Sequence, residues 1–270
     1  MNFFQYKGEQ PTVRPETLFN IGSLEISNAM LLGLLISITI FIFFFIMKRR
    51  FKLKPSKTQT FIEVLTEAFL GLLVQITGNK KNAEKLLPLI GTILLFFGIS
   101  NVITLFPGIA SFTYNGVPLL RTPTNDFNMT FTVALGIVLL SQIMSIKSYG
   151  IFSHLGKYFK FKELVQGFKK GIGKGMIGVI DFAIGLLDIV SELAKVLSLS
   201  LRLFGNMFAG EVLAVVLLGA FAYVVPTVWL TMNLLVGFLQ AMVFGALAAA
   251  YYTQSIKPDE ELLEHTEVKV

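Results

Sequence analysis

The chain has 270 residues, of which 54% are hydrophobic and only 15% are charged. Soluble domains carry about 25% charged residues, and apolar runs of about 20 residues, long enough to span a bilayer, recur in this sequence. The composition therefore excludes an ordinary soluble domain and predicts a protein that crosses the membrane several times. The net charge of +6 does not indicate nucleic-acid binding, because its distribution follows membrane topology. With no cysteine, the chain has no disulfide or thiolate metal site.

The first predicted elements are a polar start and two membrane-associated helices. Residues 1–26 form an extracytoplasmic N-terminal segment and lack the pattern of a cleaved signal peptide. Residues 27–47 form the first span, which ends at the basic sequence KRRFKLKPSK. Residues 58–77 are apolar but contain Glu63 and Glu67, so they are predicted to be an amphipathic helix at the membrane interface.

The middle of the chain continues this pattern. Residues 86–106 are a span that Pro107 ends, and residues 107–126, rich in Gly, Pro, Thr and Asn, are predicted to be a loop or hairpin. Residues 127–146 form another span, and residues 147–174, with seven lysines, form a second interfacial segment. Residues 27–174 are thus a set of peripheral transmembrane and amphipathic helices.

The remaining apolar sequence is predicted to be a long helical hairpin over residues 175–254. Residues 175–222 contain no Pro, and one helix of that length extends about 70 Å, against a hydrocarbon core of about 30 Å. We expect a single strongly tilted helix that packs beside a curved partner, rather than two upright spans. After a break near Pro226, residues 227–254 form the last span, and residues 255–270 are an acidic tail.

The basic residues predict the orientation of the five crossings. Residues 48–85, 147–174 and the C-terminal tail hold 18 of the 23 Lys and Arg residues, and the segments on the other side hold three. Because basic loops stay in the cytoplasm, the N-terminus is predicted outside and the C-terminus in the cytoplasm.

Charged and polar side chains form a stripe within the long helix. At 100° per residue, the stripe lies within about 40° of Arg202, whereas Glu211 lies on the opposite face, about 14 Å further along the helix axis. Besides Arg202, the stripe contains Asp188, Ser191, Lys195, Ser198 and Asn206. The polar groups therefore form two offset sets, one open to each side of the membrane, with an arginine between them.

The last helix carries a complementary row of amides. An antiparallel register places Gln240 beside Arg202 and Asn233 beside Glu211. An arginine stays charged when it is desolvated, so it can hold a partner's carboxylate and block direct passage of cations. Glu211 can titrate and relay protons.

Each of these side chains also has a purely structural explanation. Arg202 could form an internal ion pair with Glu192 or Asp188, Glu211 could cap a polar contact, and the stripe and the amides could simply join helices. The sequence GIGKG at 171–175 lacks a Walker pattern, and His154 and His265 lack ligand spacing, so neither nucleotide binding nor a metal site is predicted, and no cofactor is expected.

The sequence SLRLFGNMFAGE at 200–211 resembles the signature of subunit a of bacterial F-type ATP synthases, the stator half of the membrane ion channel. The resemblance extends to PTNDFNMTFTVALG at 123–136, to FLQA at 238–241 and to the topology of about residues 25–255. It implies a chain that performs no covalent chemistry and that works with a rotating ring of c subunits, the b subunits of the peripheral stalk and the lipid bilayer. The transported ion would be H⁺, with Na⁺ possible.

The resemblance also assigns roles to residues. Arg202 takes the place of the arginine that faces the ring, and the outer half-channel contains Asn206 and Glu211. Gln240 corresponds to the glutamine of the family's last helix, as part of the ion-translocation site. The cytoplasmic half-channel is lined by the polar positions before the arginine, which are Asp188, Ser191, Lys195 and Ser198. Asp126 and Asn128 match polar residues near the outer entrance.

Two positions depart from the family pattern. Asn233 stands where many bacterial members carry His, so a relay between Glu and His is absent. Val196 stands where Pro is frequent, which keeps the long helix unbroken.

We therefore expect a stator subunit in the cell (inner) membrane, with Asn233 part of the outer path. Two alternatives are a self-contained secondary transporter, for which the internal repeats and the midplane substrate site are missing, and a structural scaffold, which leaves the charges unexplained.

Overall fold

The structure, a computed structural model, describes residues 12, 14–22, 24–103, 113–114, 117–158, 172–220 and 224–256. These residues form seven α-helices, two small β-hairpins and one 3₁₀ turn. The predicted acidic tail beyond Ile256 and most of the lysine-rich segment after Tyr158 lie outside the described residues.

The helices and strands follow one another in this order: β1 Thr17–Ile21, β2 Leu24–Ser27, α1 Asn28–Lys48, α2 Lys57–Thr77, α3 Lys80–Ile103, β3 Thr113–Tyr114, β4 Val117–Pro118, a 3₁₀ turn Pro123–Asn125, α4 Phe127–Tyr149, α5 Ile151–Tyr158, α6 Ile172–Ala220 and α7 Val224–Ile256.

Five of the described helices are long and apolar enough to cross a membrane, namely Asn28–Lys48, Lys57–Thr77, Lys80–Ile103, Phe127–Tyr149 and the Thr227–Ser255 part of α7. The predicted all-α, multi-pass membrane protein is thereby confirmed. Four of these helices match predicted spans. The fifth is α2, which we expected at the interface because of Glu63 and Glu67, whereas α6, expected to be a crossing, is not among the five. That α6 rather than α2 makes the fifth crossing stays a prediction.

The long helix α6 is one continuous α-helix of 49 residues. No break occurs at Val196 or in the sequence around it, as the absence of Pro and Gly there predicts. At 1.5 Å per residue the helix is about 73 Å long, more than twice the thickness of the hydrocarbon core. Its whole length therefore does not fit upright within the hydrocarbon core, and the strong tilt of this helix stays a prediction.

The contacts between Cα atoms divide the chain into two units. The first unit comprises residues 1–132 and 200–249, and the second comprises residues 133–199 and 250–270. Helices α4, α6 and α7 each contribute residues to both units.

The N-terminal part of the first unit is an antiparallel hairpin that the sequence reasoning did not predict. Strands β1 and β2 pair Asn20 with Glu25 and Ile21 with Leu24, and the turn contains Gly22 at φ 64°, a conformation that favours glycine. Ser27 then caps α1 by accepting a hydrogen bond from the Met30 N–H. The second hairpin, β3–β4, lies in the segment predicted to be a loop or hairpin.

Part of the core of the first unit lies between α3 and α7. The rings of Phe97 and Phe244 are both buried and meet edge to face, with centroids 4.7 Å apart. Next to them Gly245 faces Leu94 and Ile90 so closely that a Cβ on the glycine would lie 2.7 Å from Leu94 Cδ2. Gly237, two turns earlier, lies against Asn101, whose amide Nδ2 donates to the Gly237 carbonyl at 2.8 Å. Small residues therefore let α7 approach α3 closely, as in many membrane helix pairs.

In the second unit the short helix α5 folds back on α4. Gly150, at φ 80°, joins the two helices. The Ser145 hydroxyl and His154 Nδ1 are hydrogen-bonded at 2.9 Å, and the Tyr158 hydroxyl donates to Gln142 Oε1 at 3.0 Å. These bonds satisfy the polar groups of Ser145, His154 and Tyr158, which are buried.

Candidate functional site: polar groups of the long helix

Arg202 lies in the first unit on an exposed part of α6. Apolar side chains of the same helix are exposed as well, with Leu201 at 52% and Leu213 at 39%. A full charge on an apolar membrane face is costly unless a polar partner or water meets it. This part of α6 is thus an exposed surface on which the Arg202 guanidinium lies among leucine side chains.

Asn206 joins α6 to α7, one turn after the arginine. Its Nδ2 donates to Gln240 Oε1 at 2.8 Å, and Gln240 is only 6% exposed. The Gln240 Nε2 atom is buried and has no hydrogen-bond partner among the described residues. The predicted antiparallel register is therefore approximately right: Gln240 lies at this level of α6, with Asn206 as a bonded partner.

Asn233 lies at the next contact between the two helices, where it faces Gly210, the residue before Glu211. A Cβ placed on Gly210 would lie 2.5 Å from Asn233 Oδ1, so only glycine leaves room for the amide there. The indole N–H of Trp229 donates to the Gly210 carbonyl at 3.1 Å. Asn233 is 7% exposed and therefore faces the backbone beside Glu211 from within the helix pair.

Glu211 has a partner that sequence reasoning missed. The Asn125 Nδ2 donates to Glu211 Oε2. Asn125 belongs to the 3₁₀ turn just before α4 and is 1% exposed. The signal available in the sequence was the polar run TND at 124–126, of which we singled out only the aspartate.

Arg121 connects the same turn to the N-terminal segment. Its guanidinium donates to the backbone oxygens of Thr12 and Arg14, to the Thr12 hydroxyl at 3.3 Å and to the Asn125 carbonyl at 3.5 Å. Its positive charge also acts on Glu211. The surroundings of Glu211 thus contain a cation from a segment that was predicted to be an outer loop.

Asp126 and Asn128, assigned by resemblance to the outer entrance, line one cavity in the first unit. The cavity has a volume of about 550 Å³, and Arg14, Glu25 and Ser37 also line it. Asp126 Oδ1 accepts the Asn128 N–H at 2.9 Å and so caps the start of α4. Burial raises the pKa of Asp126, while the bond from Asn128 and the charge of Arg121 partly oppose this shift.

In the second unit, the predicted cytoplasmic stripe contains an ion pair. Lys195 Nζ lies 2.8 Å from Glu192 Oε1, one turn away on α6, and 5.4 Å from the centre of the Tyr251 ring. Asp188 and Lys195 are half-buried, and Ser191 and Ser198 are exposed.

Helix α5 brings a further residue to this stripe. Burial and the negative charges of Glu192 and Asp188 raise the pKa of Tyr158. Sequence reasoning missed this tyrosine, because nothing in the sequence indicates that α5 folds back toward the stripe.

The fold and these groups define a multi-pass membrane protein that keeps ionisable side chains within its apolar helices. The model of the ATP synthase A chain family matches residues 30–253. The chain belongs to this family.

Known relatives cover most of the chain. It is 35% identical over 209 residues to ATP synthase subunit a of Desulforamulus reducens, an alignment that covers 74% of this chain and 68% of the relative. It is 28% identical to ATP synthase subunit a of Moorella thermoacetica, over 88% of this chain and 95% of the relative. It is 27% identical to ATP synthase subunit a of Enterococcus faecalis, over 90% of this chain and 98% of the relative.

Proposed function

We propose that this chain is the stator ion-channel subunit of a rotary ATP synthase in the cell (inner) membrane. It forms two offset half-channels that pass protons to and from carboxylates on a ring of c subunits, and so couples ion flow to rotation and ATP synthesis. The b subunits of the peripheral stalk hold it in place. Family membership supports the setting, and the arrangement of charges on α6 supports the mechanism.

The observation that carries the proposal is the position of two opposite charges on one unbroken helix. Arg202 is exposed among apolar side chains, where a partner's carboxylate can meet it. Glu211, nine residues later, is half-buried and bonded to Asn125. A cation on the partner-facing surface and a titratable group on an inner polar path are what two separated half-channels require.

In this mechanism protons enter from outside past Asp126 and Asn128 and reach Glu211, with Asn206 and Asn233 beside the path. They neutralise a ring carboxylate, which can then move away from Arg202 into the lipid. After nearly a full rotation the proton leaves along the cytoplasmic stripe, which contains Asp188, Ser191, Lys195 and Ser198. Arg202 attracts the unloaded carboxylate and prevents protons from passing directly between the two paths.

The test is replacement of Arg202 by Ala in membranes that hold the assembled synthase. The proposal requires proton-driven ATP synthesis to vanish while the complex still assembles, and passive proton leak to stay equal or rise. The control is Arg50→Ala, which removes an exposed arginine beyond the end of α1. Near-normal synthesis in Arg202→Ala, or purification of the chain without a ring protein, would rule the proposal out in favour of a lone transporter or a scaffold.

A further inference from the structure

The side-chain amide of Asn125 lies between Glu211 and the outer polar segment. Its Nδ2 donates to the Glu211 carboxylate, while its Oδ1 is buried and finds no partner among the described residues. Thr124, in the same 3₁₀ turn, is fully buried, and its hydroxyl likewise has no partner in the part of the chain that the structure describes. Buried polar atoms are nearly always hydrogen-bonded, to protein or to ordered water.

The backbone holds Asn125 at this place. The Asn125 N–H donates to the Thr122 carbonyl at 3.0 Å, which closes the turn that begins at Pro123. From the other side, Arg121 donates to the Asn125 carbonyl and to the backbone oxygens of Thr12 and Arg14. The amide is thus fixed between the N-terminal segment and α6.

An amide suits both protonation states of the carboxyl group that it faces. Its NH₂ donates to a carboxylate, and its oxygen accepts from the O–H of a carboxylic acid after the amide turns over. It does not titrate, so it takes no proton from the path. The positive charge of Arg121 also acts on Glu211.

Asn233 does not take this role in the structure, although its position matches the histidine of many bacterial relatives. It packs against the Gly210 backbone, whereas the Asn125 amide donates to the Glu211 carboxylate. The partner of the titratable group therefore comes from the outer turn before α4.

We propose that Asn125 is the positioning residue for Glu211: it orients the carboxyl group through its amide and, with the Thr124 hydroxyl, holds an ordered water beside it from which the proton is delivered. Arg121 fixes this arrangement by clamping the turn. The inference rests on the proposed function, in which protons that enter from outside pass through Glu211. In this chain Asn125, and not a histidine, is then the partner of that carboxyl group.

The test compares Asn125→Asp and Asn125→Ser in the assembled synthase, with rates normalised to the amount of complex that purifies intact. Asn125→Asp keeps the shape of the side chain but places an acceptor against the Glu211 carboxylate. We expect about a ten-fold or larger loss of proton-driven ATP synthesis, because a hydrogen bond to a charged group is replaced by repulsion, together with a displaced pH profile. Asn125→Ser keeps a donor and an acceptor, and we expect it to recover a substantial part of the rate.

Two further variants make the outcome unambiguous. Asn20→Ala removes an exposed asparagine of the β1–β2 hairpin and should leave the rate and pH profile unchanged. Glu211→Gln tests the proposed function itself: a wild-type rate there overturns the role of Glu211. If Glu211→Gln is inactive while Asn125→Asp assembles with the wild-type rate and pH profile, only the role of Asn125 is overturned. An equal loss in Asn125→Asp and Asn125→Ser with an unchanged pH profile also overturns it, because it indicates a structural role alone.

Discussion

Replacement of Gly245 by Ala tests how closely α7 packs on α3. An alanine Cβ at this position would lie 2.7 Å from Leu94 Cδ2, 2.8 Å from Leu94 Cγ and 3.3 Å from Ile90 Cγ2. Ordinary van der Waals contact begins at 3.4 Å, and the Leu94 side chain is only 3% exposed. The clash involves a branched carbon of a buried side chain, so the helices must separate or Leu94 must leave its rotamer.

The expected cost combines two opposite effects. Overpacking of a buried contact costs about 1–3 kcal/mol, whereas exchange of Gly for Ala within a helix stabilises by about 0.5–1 kcal/mol. Gly98→Ala in α3 is the matched control, because no atom lies within 4 Å of the Cβ it would add. The control gains only the helix preference, so the free energy of unfolding of Gly245→Ala should lie about 1–3 kcal/mol below that of Gly98→Ala.

The measurement is denaturant unfolding of the purified chain in detergent, followed by the fluorescence of Trp229, its only tryptophan. The double variant Gly245→Ala/Leu94→Ala should lose less stability than the sum of the two single losses, because the smaller side chain removes the clash. If Gly245→Ala is as stable as Gly98→Ala, the helices are not in contact at this glycine and the packing argument is refuted.

Three further predictions concern other parts of the molecule. Trp229→Phe removes the hydrogen bond to the Gly210 carbonyl and should lower the free energy of unfolding by about 0.5–1.5 kcal/mol. Circular dichroism during heating measures the loss of stability, and an unchanged melting midpoint would show that the bond contributes nothing. The raised pKa of Asp126 means that its charged form is disfavoured in the folded state, so stability should fall as pH rises from about 4, the ordinary aspartate value, through the raised pKa. Asp126→Asn should flatten this dependence of the melting temperature on pH. A lower stability of Asp126→Asn than of the wild type at pH 7 contradicts the argument. Because the chain has no cysteine, single Lys54→Cys and Asn20→Cys variants report its topology in the membrane. An impermeant maleimide should label Lys54→Cys only from the cytoplasmic side and Asn20→Cys only from outside. Labelling of both variants from the same side would refute the predicted orientation.

The sequence was sufficient for four of the five candidate spans and for the long helix. Apolar runs of about 20 residues identify membrane helices because the bilayer fixes their length, and the lack of Pro and Gly around Val196 indicated an unbroken α6. The register of α6 and α7 could be predicted to within about one turn, since two amides on one face of α7 had to meet polar groups of α6. Helical periodicity contains this information directly.

The contacts of Glu211 could not be predicted in the same way. Asn125 is 86 positions away in sequence, and no periodicity relates a 3₁₀ turn to a helix that follows so much later. The resemblance drew attention to Asp126 instead, one residue further on. The interfacial prediction for α2 depended on Glu63 and Glu67, but length and composition also allow a span there, because two charges among predominantly apolar residues do not exclude one.

The Arg121 cluster also has a consequence for how the chain is made. The guanidinium reaches back 109 positions to Thr12, and the neighbouring amide reaches forward 86 positions to Glu211. During synthesis the hairpin and the turn emerge first, and the carboxylate joins them only after most of α6 has been translated. Until then the Asn125 amide lacks the group that satisfies it, and a chain that stops before Glu211 keeps a polar turn without its acceptor. Completion of this cluster therefore waits for Glu211, and the first unit as a whole is complete only once the chain has been made as far as Ala249.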